Sequence, residues 1–118
     1  GSITLNALTN AANYSGSAAD LVSAFTGITS HTGTIGATGA TTVTQANTLD
    51  AATTGVVTAT VQDDATVLAT LTGTGNDYTV TFDNDDAATL AELVTINAAT
   101  TGSITLNALT NAANYSGS

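Results

Sequence analysis

The sequence predicts an α/β solenoid of about four coils per 101-residue period, with short parallel strands alternating with short helical turns. Three observations predict it. The first is duplication: GSITLNALTNAANYSGS runs from Gly1 to Ser17 and returns unchanged from Gly102 to Ser118, an offset of 101 residues. The second is a shorter echo inside that period. VTFDNDDAATLAELVTINAATTG, from Val80, lies without a gap over GTIGATGATTVTQANTLDAATTG, from Gly33, and VQDDATVLATL, from Val61, fits as a third member after one shift. The unit so defined is 22 to 25 residues long. The third is a switch of hydrophobic period within each unit, from two to between three and four. The alternative is a parallel β-helix with little helix; the Ala-rich segments and helical stripes favour the mixed version. Residues 1–101 then form one full period, and residues 102–118 begin the next.

Each element follows from local pattern. Val57, Ala59 and Val61 alternate with Thr58, Thr60 and Gln62, and Tyr78, Val80 and Phe82 alternate with Thr79, Thr81 and Asp83. Ile104, Leu106 and Ala108 do the same with Thr105 and Asn107. Period two in β-branched residues marks a strand with one buried face. An acidic or Thr/Ser step, such as Asp20, Asp64 or Asp86, is placed to cap the helix that comes after it. Leu21, Ala24, Phe25 and Ile28 form one helical stripe, and Leu90, Leu93, Val94 and Asn97 another. Gly27, Gly55, Gly73 and Gly102 stand where turns want a left-handed residue. The first coil, Ser2 to Gly33, is longer than the rest, and its extra piece, Thr9 to Gly16, reads as an added turn or short helix, or as a fifth coil of its own. In length and order the unit resembles a leucine-rich repeat, without that family's LxxLxLxxN signature.

Composition limits what such a chain can do. It has no Lys, Arg, Cys, Met, Trp or Pro among 118 residues and carries a formal charge of −9, with His31 its single possible cationic side chain. Salt bridges contribute almost nothing. Phosphate backbones and anionic membrane surfaces are excluded as partners, because both are bound through Lys and Arg. No apolar run approaches the ~20 residues that span a bilayer. Trypsin-type proteases find no cleavage site. The natural counter-charge is a hard metal cation.

The candidate metal ligands are Asp63, Asp64, Asp83, Asp85 and Asp86, with Asn84 between them. Stacked units would bring these acidic corners about 5 Å apart. Calcium accepts six to eight oxygens from such groups, so the expected cofactor is Ca²⁺, weighed against capping and solvation of the same carboxylates. The turn Gly73-Thr74-Gly75-Asn76-Asp77 faintly resembles the calcium turns of secreted RTX repeats, although the full nonapeptide is absent. His31 has no metal or triad partner nearby and reads as a surface or loop residue. Gly33, Gly36 and Gly39 lack the spacing and the lysine of a phosphate loop. The pairs Thr58/Thr60, Thr79/Thr81, Thr42/Thr44 and Thr72/Thr74 resemble the threonine rows of ice-binding proteins, but Thr also suits an exposed strand face in its own right. No nucleophile with a base, and no acid–base pair in a pocket, marks an enzyme.

The phrases LDAATTGVVTATV and INAATTGSITL resemble tandem repeats of giant bacterial surface proteins, notably marine cyanobacterial ones. The resemblance implies an extracellular or cell-surface location and a structural or adhesive role without an active site. The expected function is a structural module of a long fibre whose partners are neighbouring copies of itself. The alternative is a binding module that presents a Thr-rich strand face to ice or to a surface glycan.

Overall fold

The elements run in chain order as α1 (Ala7–Ala11), β1 (Tyr14–Ser17), α2 (Ala18–Phe25), β2 (Ile35–Thr41), α3 (Val43–Ala52), β3 (Val57–Asp63), α4 (Ala65–Leu68), β4 (Asp77–Phe82), α5 (Leu90–Ala99), β5 (Ile104–Thr105) and α6 (Ala108–Ala112). This is a computed structural model, and it describes residues 3–83 and 86–118. The five strands make one parallel sheet in the order β1-β2-β3-β4-β5.

Two strands, β3 and β4, form where period two predicts them; of the third expected, Ile104 to Ala108, only Ile104–Thr105 is a strand, and Ala108 opens α6. Val57, Ala59 and Val61 of β3 and Tyr78, Val80 and Phe82 of β4 are buried, while Thr58, Thr60 and Thr79 between them are exposed. Helix residues Leu21, Phe25, Val43, Ala46, Leu49, Leu68, Ile96 and Ala99 pack against that apolar face to complete the core. The opposite face of the sheet is open to solvent. Because most apolar side chains here are small, the core is thin, and polar side chains tie the layers together. Thr53 donates to the Gly33 carbonyl at 2.6 Å, and Thr100 to the Tyr78 carbonyl at 2.7 Å. Asn76, 2% exposed, accepts from the Val57 N–H and donates to Asp50. These are buried bonds between neutral or singly charged groups, the kind left to a chain without Lys and Arg.

The solenoid expectation is corrected. The described residues form an open five-stranded sheet carrying six helices, in a body of 51 × 27 × 22 Å, and not an elongated stack of about four equal coils. Nor is it a β-helix with little helix. A stack of equal coils needs a constant step, and the step varies: Tyr14 pairs with Ile35, Ile35 with Val57, Thr58 with Asp77 and Val80 with Ile104, separations of 21, 22, 19 and 24 residues. A bulge between Gly36 and Ala40, with Gly39 at φ +75°, shifts the β2 register. The helices are as uneven, from the four residues of α4 to the ten of α3 and α5. The supposed insert supplies the first strand of the sheet, Tyr14–Ser17.

Caps also fall differently. Ser17 caps α2, with Asp20 three residues inside it, and Thr89 caps α5 in place of Asp86. Asp64 does sit at the N-cap of α4, without a side-chain capping bond. Thr42–Gln45 and Thr89–Glu92 each close a reciprocal capping box. The buried positions of α5 are Ile96 and Ala99, with Leu93 partly covered, whereas Leu90 and Val94 of the expected stripe are exposed. Gly27 and Gly73 have positive φ, as expected of turn residues. Gly55 and Gly102 do not. Each instead lies so close to a neighbouring carbonyl, of Gly33 and Tyr78 respectively, that a Cβ would collide with it. The same pair is matched in the echo, and each glycine N–H donates to the threonine two residues before it at 3.0 Å.

Candidate functional site

Two features are candidates: an acidic corner and the duplicated segment. The corner is built by strand register. β3 and β4 pair from Thr58↔Asp77 to Asp63↔Phe82, so both end at the same edge, where α4 begins at Asp64 and the chain leaves β4 through Asp83. The Asp83 N–H donates to the Asp63 carbonyl at 2.9 Å and locks the two exits together. Carboxylate oxygens of Asp63, Asp64 and Asp83, all half-buried, come within 4.8 Å of one another. Gln62 donates to Asp83 Oδ1 and the Asp64 N–H to Asp63 Oδ1, both at 2.8 Å. These donors orient two carboxylates without neutralising them.

Asp86 and Glu92 line the small cleft that Asp64, Thr66 and Asp83 border. The Thr89 backbone N–H, donating to Glu92 at 2.8 Å, holds the Glu92 carboxyl below its ordinary value, helped by the Thr89 and Thr66 hydroxyls. Of the ligands expected from sequence, Asp63, Asp64 and Asp83 are brought together, Asp86 lies beside them, and Asp85 lies outside the described residues. Asp77 stands at the opposite end of β4 and has no part in the corner. Glu92 was not among the expected ligands. Its signal was the Thr-x-x-Glu capping box, which fixes where its side chain turns.

An acidic triad of this span could hold a metal ion.

No protein-family model, curated protein or solved structure matches the chain. Its function has to be read from its own geometry, and the duplicated segment is the most informative part of it.

Both copies fold ALTNA into a helix capped by the preceding asparagine, Asn6 in the first and Asn107 in the second, each accepting at 2.7 Å from the threonine N–H three residues on. Beyond that they differ. In the first copy the downstream half is docked. Tyr14–Ser17 pairs with β2, the Thr32 and Gly33 N–H groups donate to the Asn10 carbonyl, the Thr34 N–H donates to Asn13, and the Tyr14 ring packs on Phe25 and His31. In the second copy the upstream half is docked, together with the tyrosine. Ile104–Thr105 pairs with Val80–Thr81, Asn107 donates to the Asp83 and Asp86 carbonyls, Thr110 accepts from the Ala88 N–H, and the Tyr115 phenol donates to the Ala88 carbonyl. Asn6 is exposed where Asn107 is buried; Asn111 is exposed where Asn10 is half-covered.

His31 is not a surface residue. It is fully buried against Phe25 and Tyr14, and neither ring nitrogen has a hydrogen-bond partner among the described residues. The threonine pairs divide. Thr58/Thr60 and Thr79/Thr81 lie on β3 and β4, whereas Thr42 caps α3, Thr44 lies within it, and Thr72 bonds to Asn47 and Asp50. Only short cross-strand rows result, Thr60 beside Thr79 and Thr81 beside Thr105.

Proposed function

We propose that the chain is a structural repeat module of a long secreted or cell-surface protein, in which each 17-residue segment joins one period to the next. One observation carries the reading. The two identical copies use different atoms: the first binds residues downstream of itself, and the second binds residues upstream. A segment standing between two periods would make both sets of bonds at once. Its tyrosine would pack its ring on the Phe25 and His31 of its own period and reach with its phenol to the Ala88 carbonyl of the period before. Its asparagine would cap the short helix with Oδ1 and, through Nδ2, hold the two carbonyls now held by Asn107. The lack of any Lys or Arg, which denies trypsin-like proteases a site, is consistent with life outside the cell.

The test is hydrogen exchange on a covalent chain of two complete periods. The internal segment is expected to protect both its Ile-Thr and its Tyr-Ser amides, while the terminal copies protect one half each. An internal segment that protects only one half would overturn the reading.

The corner of Asp63, Asp64 and Asp83 is proposed as a calcium site that relieves the repulsion of three close carboxylates, with Asp86 and water completing the shell. Calcium is expected to raise the melting temperature of the wild type and to leave Asp83→Asn unmoved. Without calcium, Asp83→Asn should melt no lower than the wild type. Equal melting with calcium and with chelator removes the ion from the account.

A further inference from the structure

The two docking sites of the duplicated segment lie at opposite ends of the sheet, and each is filled by a copy of the same sequence. At one end, the first copy is held by β2 and the loop before it. At the other, the second copy is held by β4 and by Asp83, Asp86 and Ala88, which lie between β4 and α5. The face that the first copy leaves uncovered is apolar: Ile3 is 62% exposed, and it borders a cleft with Leu5, Tyr14, Phe25 and Ile28. In the second copy the matching Ile104 pairs with Val80. Asn6 Nδ2, Thr9 Oγ1 and the Tyr14 phenol have no hydrogen-bond partner among the described residues, whereas their counterparts in the second copy all do.

We propose that two copies of this chain join end to end by segment exchange. The first copy of one molecule, still seated on its own β2, takes the place of the second copy on another molecule's β4–α5 end. This rests on reading the segment as the joint between periods.

The exchange remakes the tail's ladder and side-chain bonds, and gives up the packing of residues 115–118 beside Leu90. Ile3–Thr4 replaces Ile104–Thr105 beside Val80–Thr81; Asn6 replaces Asn107 on the Asp83 and Asp86 carbonyls; Thr9 replaces Thr110 at the Ala88 N–H. The displaced tail regains chain entropy, which offsets part of the cost of association. The outgoing segment is also the more weakly held of the two. Residues 104–105 make a two-residue ladder, against the four-residue ladder of Tyr14–Ser17 with β2. Ser17 moreover caps α2, so the first copy cannot leave without fraying that helix. Exchange of an identical element is a low-cost route to association, and a head-to-tail contact that does not close on itself grows into a filament.

The test compares two full-length variants by sedimentation over a range of concentrations. Asn107→Ala with Thr110→Val loosens the tail and should self-associate at a concentration at least about tenfold below the wild type, the shift that corresponds to a loss of about 1.4 kcal/mol in tail docking. Asn6→Ala with Thr9→Val makes the same change in the incoming segment and should stay monomeric at those concentrations. A tail variant that remains monomeric, or a head variant that associates equally well, overturns the exchange. A dye on Ser118→Cys gives a reading on nearly native protein. Its anisotropy should fall towards that of a free tail as unlabelled chain is added, and a constant value also overturns the exchange. If the two-period chain protects its internal segment while these measurements fail, the repeat reading stands and the exchange alone is lost.

Discussion

Replacing His31 by Leu is expected to stabilise the protein. A neutral imidazole carries one N–H donor and one acceptor nitrogen, and here both are buried without a partner. In the unfolded chain both are solvated, so folding costs the desolvation of each, about 1–3 kcal/mol per group. Leucine has a similar volume and no polar atom, and removes that cost. It also removes the edge contacts of the imidazole with Phe25 at 4.9 Å and with Tyr14 at 5.6 Å. Aromatic pairs of this kind are worth about 0.5–1.5 kcal/mol beyond area, so a net gain of about 1–2 kcal/mol remains. The backbone carbonyl of residue 31, which accepts from the Thr54 N–H at 3.0 Å, is untouched by the change. For a chain of this size the gain corresponds to a rise of roughly 4–8 °C in Tm. Melting followed by circular dichroism at neutral pH measures it, with His31→Gln as the polar control that should gain nothing. A leucine variant that melts below the wild type would show that the nitrogens are satisfied in solution, and would refute the reasoning.

Three further outcomes turn on single groups. Burial, reinforced by the nearby Asp50 charge, pushes the Tyr78 phenol above its ordinary 10.0. The stability this group contributes is present below that value and is lost as pH rises above it, since the unfolded chain ionises first. Alkaline unfolding monitored by fluorescence should therefore shift to higher pH in Tyr78→Phe, which gives up the phenol's long bond to the Ala46 carbonyl, at 3.5 Å, and its contact with Asn76. Gly55→Ala and Gly102→Ala should each cost about 1–3 kcal/mol or more in urea denaturation, as overpacked sites do, whereas Gly16→Ala, with open space around it, should be nearly neutral. The lowered Glu92 carboxyl contributes stability that is present above the ordinary carboxylate range and lost as pH falls through its depressed value. Glu92→Gln preserves the capping box, as Gln45 shows at Thr42, and should match the wild type at neutral pH while losing less stability on acidification, measured as urea midpoints at both pH values.

Strand positions were legible because alternation is unambiguous. Val57 to Val61 and Tyr78 to Phe82 read as half-buried strands from sequence and are buried as read. The echo between residues 33–55 and 80–102 was legible too, and its physical content is a shared use of Thr53 and Thr100 as buried donors to carbonyls at or just before the start of the preceding strand. Helix phase was harder. Leu90, Leu93, Val94, Ile96 and Ala99 offer two stripes, and the Thr89 cap, by fixing where the helix starts, selects the one through Ile96. β1 was hidden because Tyr14-Ser15-Gly16-Ser17 has neither β-branched residues nor alternation; its strand is imposed by pairing with β2. In the acidic corner, the acidic steps themselves were legible, but the echo set Asp63-Asp64 against Asp85-Asp86, whereas the β3–β4 register brings Asp83 beside them; Glu92 depended on a cap. The burial of His31 left no local trace, since it depends on Phe25 and Tyr14 arriving from other elements.

The buried threonine and asparagine bonds give the protein an unusual response to its ionic surroundings. A protein of mixed charge has attractions and repulsions that added electrolyte weakens together, so the two changes partly cancel. Here the charges total −9 with no Lys or Arg to answer them, and the bonds that cross between strands run from hydroxyls and amides that carry no charge to screen. Electrolyte can only weaken repulsion. At about 0.1 M the screening length has already shrunk to about 10 Å, shorter than the molecule's smallest dimension of 22 Å. Brine, which dissolves the ion pairs that hold many surfaces together, should leave this one tighter than fresh water does.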